Sequence, residues 1–361
     1  MAKICNTTIR SIPLDTEEKL LPSKSTCPIM DFIIFPLPPI LTSSQFTHPS
    51  DYFDDQPASS TTTAACISNI PCPPATVVKA LATSLDKQDL NDLKLVKCPH
   101  DSSSGNITYP LWLITYWQRI IHIHGIQDTW ASAVDNLQHH QLKLLSLGRA
   151  DDMVNHTFDL FGTLNWLGSL RGFSRNAEDD VEILCSYLSE DWLKGEHANQ
   201  MLDLLCFDLQ EHNINSVEIE STWFYGKIEW GYANPTTYSE MRTYRWPRQQ
   251  GHAMATGIQD QLAFLANINH NHWVAIVLDF PKTIIWYGDP LGGQFDQNII
   301  QVLDWWTHLH SGKAFIHKKL PITLQDDYHS CCLLAWNALA TFLLPRKYEL
   351  MNASDVANGR L

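Results

Sequence analysis

The feature that most constrains the fold lies between residues 272 and 345. Two short apolar segments, "HWVAIVLDF" and "KTIIWYGD", follow one another with only a turn at Pro281 and Lys282 between them. Both have strand character and length, so together they read as an antiparallel hairpin. "QNIIQVLDWWTHLHSG" then shows helical spacing and a glycine stop, "AFIHKKLPITL" reads as a strand, and "CCLLAWNALATFLLP" is an apolar helix ended by Pro345. Strand, strand, helix, strand, helix with an antiparallel pair predicts an α+β fold.

The chain loosens toward its start. Residues 1–105 read as largely irregular: "SSTTTAACISNIPCPPA" and "HDSSSGN" are Ser/Thr/Pro-rich punctuation, with a short helix expected near "ATVVKALATSL". Residues 106–175 read as a helical extension. "PLWLITYWQRIIHIHG" opens on Pro110 and stops at Gly125, and "DTWASAVDNLQHHQLKLLSLG" follows, so an α-hairpin is expected. "MVNHTFDLFGTLNWLGSLRGFS" is aromatic, broken by glycine and loop-like. "AEDDVEILCSYLSEDWLKGEHANQMLDLLCFDLQEH" reads as helix, break, helix, with Ser189 a candidate cap for the second part.

Composition excludes some functions. With 44% hydrophobic and 18% charged residues the chain can bury a sizeable core. A net charge of −14 and no basic run longer than Lys318-Lys319 argue against nucleic acid, whose phosphates demand lysine and arginine. Ten Asp or Glu against one Lys between Glu178 and Glu211 read as a solvated face or a surface for a basic protein. Nine cysteines without C-x-x-C spacing, behind a polar start with no secretory pattern, read as reduced thiols in nucleus or cytoplasm. The sequons at Asn6, Asn106, Asn155 and Asn352 then carry little meaning. "IMDFIIFPLPPIL" is too short and too rich in proline to span a bilayer, so no membrane association is expected.

The chemistry-bearing residues fall in the same last third. A thiol hydrolase needs a thiolate, an imidazole to activate it, a group to orient the imidazole, and donors for the oxyanion. Cys331 stands where the loop "LQDDYHS" meets an apolar helix, and a helix N-terminus lowers a thiol pKa. His272 opens the first hairpin strand and Asp289 closes the second, which makes them neighbours. The hairpin alone does not bring Cys331 to them. His270, His272, His329 and the Cys331–Cys332 pair also have zinc-ligand chemistry, but match no standard structural zinc spacing. His122, His124, His139 and His140 read as ordinary helix residues, and no metal or other cofactor is expected.

Here the sequence resembles a family. His272-Trp273, then Asp289 17 residues after the histidine, then Gln325 six before Cys331, look like the proteases that process SUMO and related ubiquitin-like modifiers. Their pattern is His-Trp, Asp, and Gln-x5-Cys-Gly in that order. "DWLKGEHANQML" resembles the family's Trp-Leu-Asn-Asp segment, most closely in versions found in fungal genomes and linked to mobile elements. The resemblance covers roughly residues 180 to 345 and implies a papain-like domain over 176–350, with 351–361 a tail. It implies that Cys331 attacks the carbonyl of a modifier's C-terminal glycine while His272 moves the proton and Asp289 holds the imidazole. Gln325 and the Cys331 N–H would form the oxyanion hole. Trp192 and Trp273 would clamp the modifier's Gly-Gly tail, a slot that excludes bulkier residues. The implied partner is a SUMO-like modifier or its conjugates.

Three positions depart from the pattern. Ser330 precedes the nucleophile where Asp is frequent, and Cys332 follows it where Gly is usual. Cys332 adds a Cβ and a rival thiol, which raises the alternative of a protease-like domain that binds without cutting. Lys194 and Gly195 stand where Asn-Asp is usual, so modifier preference is expected to differ.

Overall fold

Leu262 to Ala266 and Trp273 to Phe280 are buried without interruption, the mark of strands covered on both faces. In the computed structural model they form the middle of a five-stranded sheet. The structure describes residues 11–54, 67–68, 70–87, 95–100, 107–146, 152–172, 179–352, 355–356 and 360. The chain divides into two compact units, Met1–Asp135 with Asn155–Gly168, and Asn136–Val154 with Ser169–Leu361.

The second unit is α+β. Its strands β1 (Val217–Ile219), β2 (Gln261–Ile268), β3 (His272–Asp279), β4 (Ile284–Gly288) and β5 (Ile316–Lys319) lie side by side in chain order. The pairs β2–β3 and β3–β4 are antiparallel, and the two outer pairs are parallel. Period-two alternation divides the buried side chains between two layers. Ala263, Leu265, Trp273, Ala275 and Val277 meet helices α1 (Gly195–Glu211) and α6 (Cys331–Leu343). Leu262, Phe264, Val274, Ile276 and Leu278 meet α2 (Trp223–Ala233), α4 (Arg245–Ala255) and α5 (Gln297–Ser311), with the short α3 (Pro235–Glu240) alongside. The Asp296 side chain caps α5 by accepting from the N–H groups of Asn298 and Ile299, and Gly312 ends it at φ 69°.

The expected hairpin, the α5 helix, the β5 strand and the α6 helix are all present. The strand β2, which pairs with β3 over eight residues, has no counterpart in the sequence reading. Ser189 does not cap α1, which begins only at Gly195; it closes the preceding 3-10 turn, its N–H and hydroxyl donating to the Ser186 carbonyl while the hydroxyl accepts from the Asp191 N–H. The Val181–Leu188 part is a 3-10 helix.

The first unit holds a small antiparallel sheet of Phe53–Asp54, Leu95–Lys97 and Thr108–Tyr109, and a helix Ala75–Lys87 where one was expected. Ile29 and Phe32 of "IMDFIIFPLPPIL" lie on a short helix, fully buried, with Phe32 stacked on Trp166 at 4.2 Å. The Ser/Thr-rich stretches fall mostly outside the described residues. The expected α-hairpin is instead one helix, Trp112–Ser146. Gly125 costs such a helix only about 1 kcal/mol relative to Ala, while the buried stripe Ile120, Ile123, Ile126, Trp130, Ala133, Leu137 continues through it. The stretch read as loop-like opens with a helix, Asp152–Phe161. Among the described residues no helix is long and apolar enough to cross a membrane.

Candidate active site

A tight turn sets the register that places His272. Asn269 and His270 both have positive φ, 53° and 60°, and the Asn271 N–H donates to the Ile268 carbonyl at 3.1 Å. Asn269 and His270 are the central residues of that turn within the three-residue connection of β2 to β3, and asparagine and histidine tolerate positive φ better than most residues. On the other side of β3 the last pair is Ala275 with Gly288, so Asp289 lies diagonally across from His272. The His272 Nε2 is 2.7 Å from the Asp289 Oδ1. The same carboxylate accepts from the Leu291 N–H at 2.8 Å and from the Gly293 N–H. A Cβ at position 293 would sit 2.9 Å from the Asp289 Oδ2, so this approach requires glycine. Burial raises the Asp289 pKa, but His272 and these N–H groups outweigh it and hold the carboxyl below its ordinary value.

Cys331 is the first residue of α6, and its thiol is hydrogen-bonded to His272. Burial lowers the His272 pKa, but its bonds to Asp289 and Cys331 prevail and push it up to about 9. The imidazole is therefore charged at neutral pH, beside a sulfur at the positive end of a helix. Cys332 is different: it is 0% exposed, and burial pushes its thiol well above the ordinary value. It belongs to the core shared by α1, α6 and the sheet, so it is no rival nucleophile.

Gln325 is tied to the Asp289 loop by its N–H, which donates to the Pro290 carbonyl at 2.9 Å. Its side-chain Nε2 donates to the Asp327 carbonyl at 3.3 Å, a long bond that a developing oxyanion could displace, while Oε1 is buried without a partner. Asp327, which the sequence reading passed over, organises the loop before Cys331. Its Oδ1 accepts from the N–H groups of His329 and Ser330 at 2.9 Å and from the Ser330 hydroxyl at 2.7 Å. An Asp four residues ahead of a helix start, accepting from the N–H groups two and three residues on, is the sequence sign of such a turn. Ser330 is thus used as a donor to that carboxylate.

The two tryptophans differ. Trp192 is 46% exposed. Trp273 is buried, and its indole N–H donates to the Leu193 carbonyl at 3.1 Å, so it holds the segment that carries Trp192. A cavity of about 480 Å³ opens beside Asp289, lined by Gly292, Gly293, Phe295, Leu320 and Leu324 among others. It admits a side chain or a short tail, and a folded partner would have to rest outside it. The zinc-type residues are not assembled: His270 is on the exposed turn, His329 faces Asp327 at 3.6 Å, and Cys332 is core. Among the described residues no three His, Cys, Asp or Glu side chains are grouped as a metal ion requires.

No protein-family model matches the chain, and no curated protein matches it. Solved structures do. The C-terminal Ulp1 protease domain in complex with Smt3, the yeast ortholog of SUMO, is similar at 18% identity and TM-score 0.39, over 54% of this chain and 83% of that one. A de-sumoylating protease is similar at 14% identity and TM-score 0.38, over 53% of this chain and 74% of that one. The Xanthomonas campestris effector XopD bound to ubiquitin is similar at 19% identity and TM-score 0.31, over 47% of this chain and 79% of that one.

Proposed function

We propose that this chain is a cysteine peptidase or isopeptidase that cleaves after the C-terminal Gly-Gly of a SUMO-like modifier. The observation that supports it is the Cys331–His272–Asp289 relay, with the thiol at the first position of a helix and the imidazole bonded on both sides. In this reading the Cys331 Sγ adds to the scissile carbonyl and its proton resides on His272. His272 then protonates the departing amine, leaving a thioester. Water, deprotonated by the same imidazole, adds to the thioester carbonyl, and the thiol departs with the modifier's free carboxylate. The Cys331 N–H and the Gln325 amide receive the oxyanion. Trp192 meets the tail from the open side, and Trp273 serves chiefly by fixing the segment beneath it.

The modifier class rests on the motif resemblance, and placement with the fungal version rests on "DWLKGEHANQML" alone. A protease unit over 176–350 and a nuclear or cytoplasmic setting belong to the same proposal. The binding-only alternative rests on Cys332, which is buried, and on the altered entry segment at Lys194 and Gly195.

The test is covalent labelling with modifiers carrying a C-terminal electrophile: SUMO, the Nedd-type modifier and ubiquitin. Wild type is expected to form one adduct, mapped to Cys331, and Cys331→Ala and His272→Ala to form none. Full labelling of Cys331→Ala would overturn the assignment. Modifier binding without any adduct would select the non-catalytic reading.

A further inference from the structure

After α6 the described residues 348–352, 355, 356 and 360 make contacts at points along the helix, from its C-terminal end to the loop before Cys331. Tyr348 follows the helix end, where its hydroxyl donates to Asp208. Midway, the buried Asn337 of α6 grips the segment twice: its Nδ2 donates to the Glu349 carbonyl at 3.0 Å, and its Oδ1 accepts from the Met351 N–H at 2.9 Å. Thr323, two residues before Gln325, donates its hydroxyl to the Met351 carbonyl. Val356 enters the core shared by α1, α6 and the sheet.

The segment ends on Arg360, which is 7% exposed and inserted between two loops. On one side its Nη1 donates to the carbonyls of Ser186 and Ser189, and its Nη2 donates to that of Asp191 at 2.8 Å. On the other side Nη2 donates to the carbonyl of His329 at 3.3 Å. Asp191 immediately precedes Trp192, and His329 stands two residues before Cys331. Burial lowers the Arg360 pKa, and the nearby charges of Asp327, Asp191 and Glu190 counter it only in part. Trp192 is therefore pinned from both neighbours, by Arg360 through Asp191 and by Trp273 through Leu193. A planar fork of donors is the group suited to bridging several fixed carbonyls, and an ammonium is not.

We propose that Arg360 is a positioning residue of the active site, a bridge that sets the spacing between the Trp192 segment and the nucleophile loop. The proposal deepens the peptidase reading and rests on it for the reaction concerned. Misplacing either loop by an ångström is expected to lower turnover of a Gly-Gly-tailed substrate by about 10- to 100-fold. The His272–Cys331 pair does not touch Arg360, so alkylation of Cys331 by iodoacetamide is expected to keep its pH profile.

The experiment compares wild type, Arg360→Ala and Arg360→Lys in the full chain. The first readout is amide hydrogen exchange. Exchange in 189–193 and in 326–330 is expected to rise together in Arg360→Ala while the interior of α6 stays protected. The second is the rate of adduct formation with electrophile-tipped SUMO, alongside iodoacetamide alkylation. Loss of the first with retention of the second, and partial return of the first on adding free guanidinium, support a positioning role. Arg360→Lys is expected to behave like Arg360→Ala in both readouts, and it serves as the milder variant should Arg360→Ala fail to fold. Exchange that rises in neither loop, or in only one, overturns the proposal. So does a lowered melting temperature with an unchanged SUMO rate. Should wild type react with no modifier, the peptidase reading falls and the exchange result alone decides the bridge.

Discussion

At the scale of single residues the site is a set of small displacements from ordinary behaviour. His272 is held charged to about pH 9 and Asp289 is held ionised below its ordinary range, each by the other and by close neighbours. The raised histidine stabilises the fold fully below its ordinary value of 6.5 and stops doing so as pH rises through about 9. The lowered carboxyl stabilises it above its ordinary value of 3.8 and stops as pH falls through its folded value. Activity follows the same limits. Loss of the imidazolium removes the proton needed by the leaving amine, so turnover is expected to fall on a basic limb near pH 9. In Asp289→Asn that limb is expected to move toward 6.5, and the rate at its maximum to drop by about 10²- to 10⁴-fold. A pH–rate profile of both proteins checks this, and an unmoved limb would show that Asp289 does not set the His272 proton affinity.

At the scale of elements, the two layers of helices perform separate tasks. The α1 and α6 side carries the thiol, and the α2, α4 and α5 side packs the other face of the sheet. Gly251 on α4 is where that packing is tightest, since a Cβ there would lie 2.3 Å from the His310 ring. His310 has little room to move, because its Nε2 is 3.0 Å from the Tyr238 hydroxyl and its ring lies 4.8 Å from Trp306. Gly251→Ala is expected to cost about 1–3 kcal/mol through overpacking, visible as a lower melting temperature. Cys331 alkylation well below that temperature is expected to be unchanged, being a property of the opposite layer.

The same separation explains what could be read from sequence. The β3–β4 hairpin, α5 and α6 follow from local periodicity and stop signals, and His272 and Asp289 follow as neighbours from their places on the hairpin, whereas Cys331 joins them only through the spacing resemblance. Strand β2 escapes, because "QLAFLANI" is buried on both faces and shows no alternation. The long helix escapes because a single glycine is a weak breaker when a buried stripe runs past it. Asp327 carries a local sign, a carboxylate just ahead of a helix start. Arg360 carries none: its partners are backbone carbonyls 31 to 174 positions away, and a carbonyl has no residue identity for a sequence to display.

At the scale of the whole molecule, the relay is assembled from two places on one sheet, an adjacent hairpin and the helix laid across it. Its orientation depends on the sheet staying closed under α6. Cys332, one position from the Cys331 thiol, is sealed from water in the packed seam around the start of α6, with Tyr187 and Arg360 near it. The two neighbours thus run on different clocks. Cys331 is expected to take up a small alkylator at the rate of its own chemistry, while Cys332 waits for that seam to open. The mass of one short peptide, carrying no label, one or two, would then report both the competence of the site and the frequency with which the domain opens. Double labelling as fast as single labelling would mean that the seam is not closed in solution.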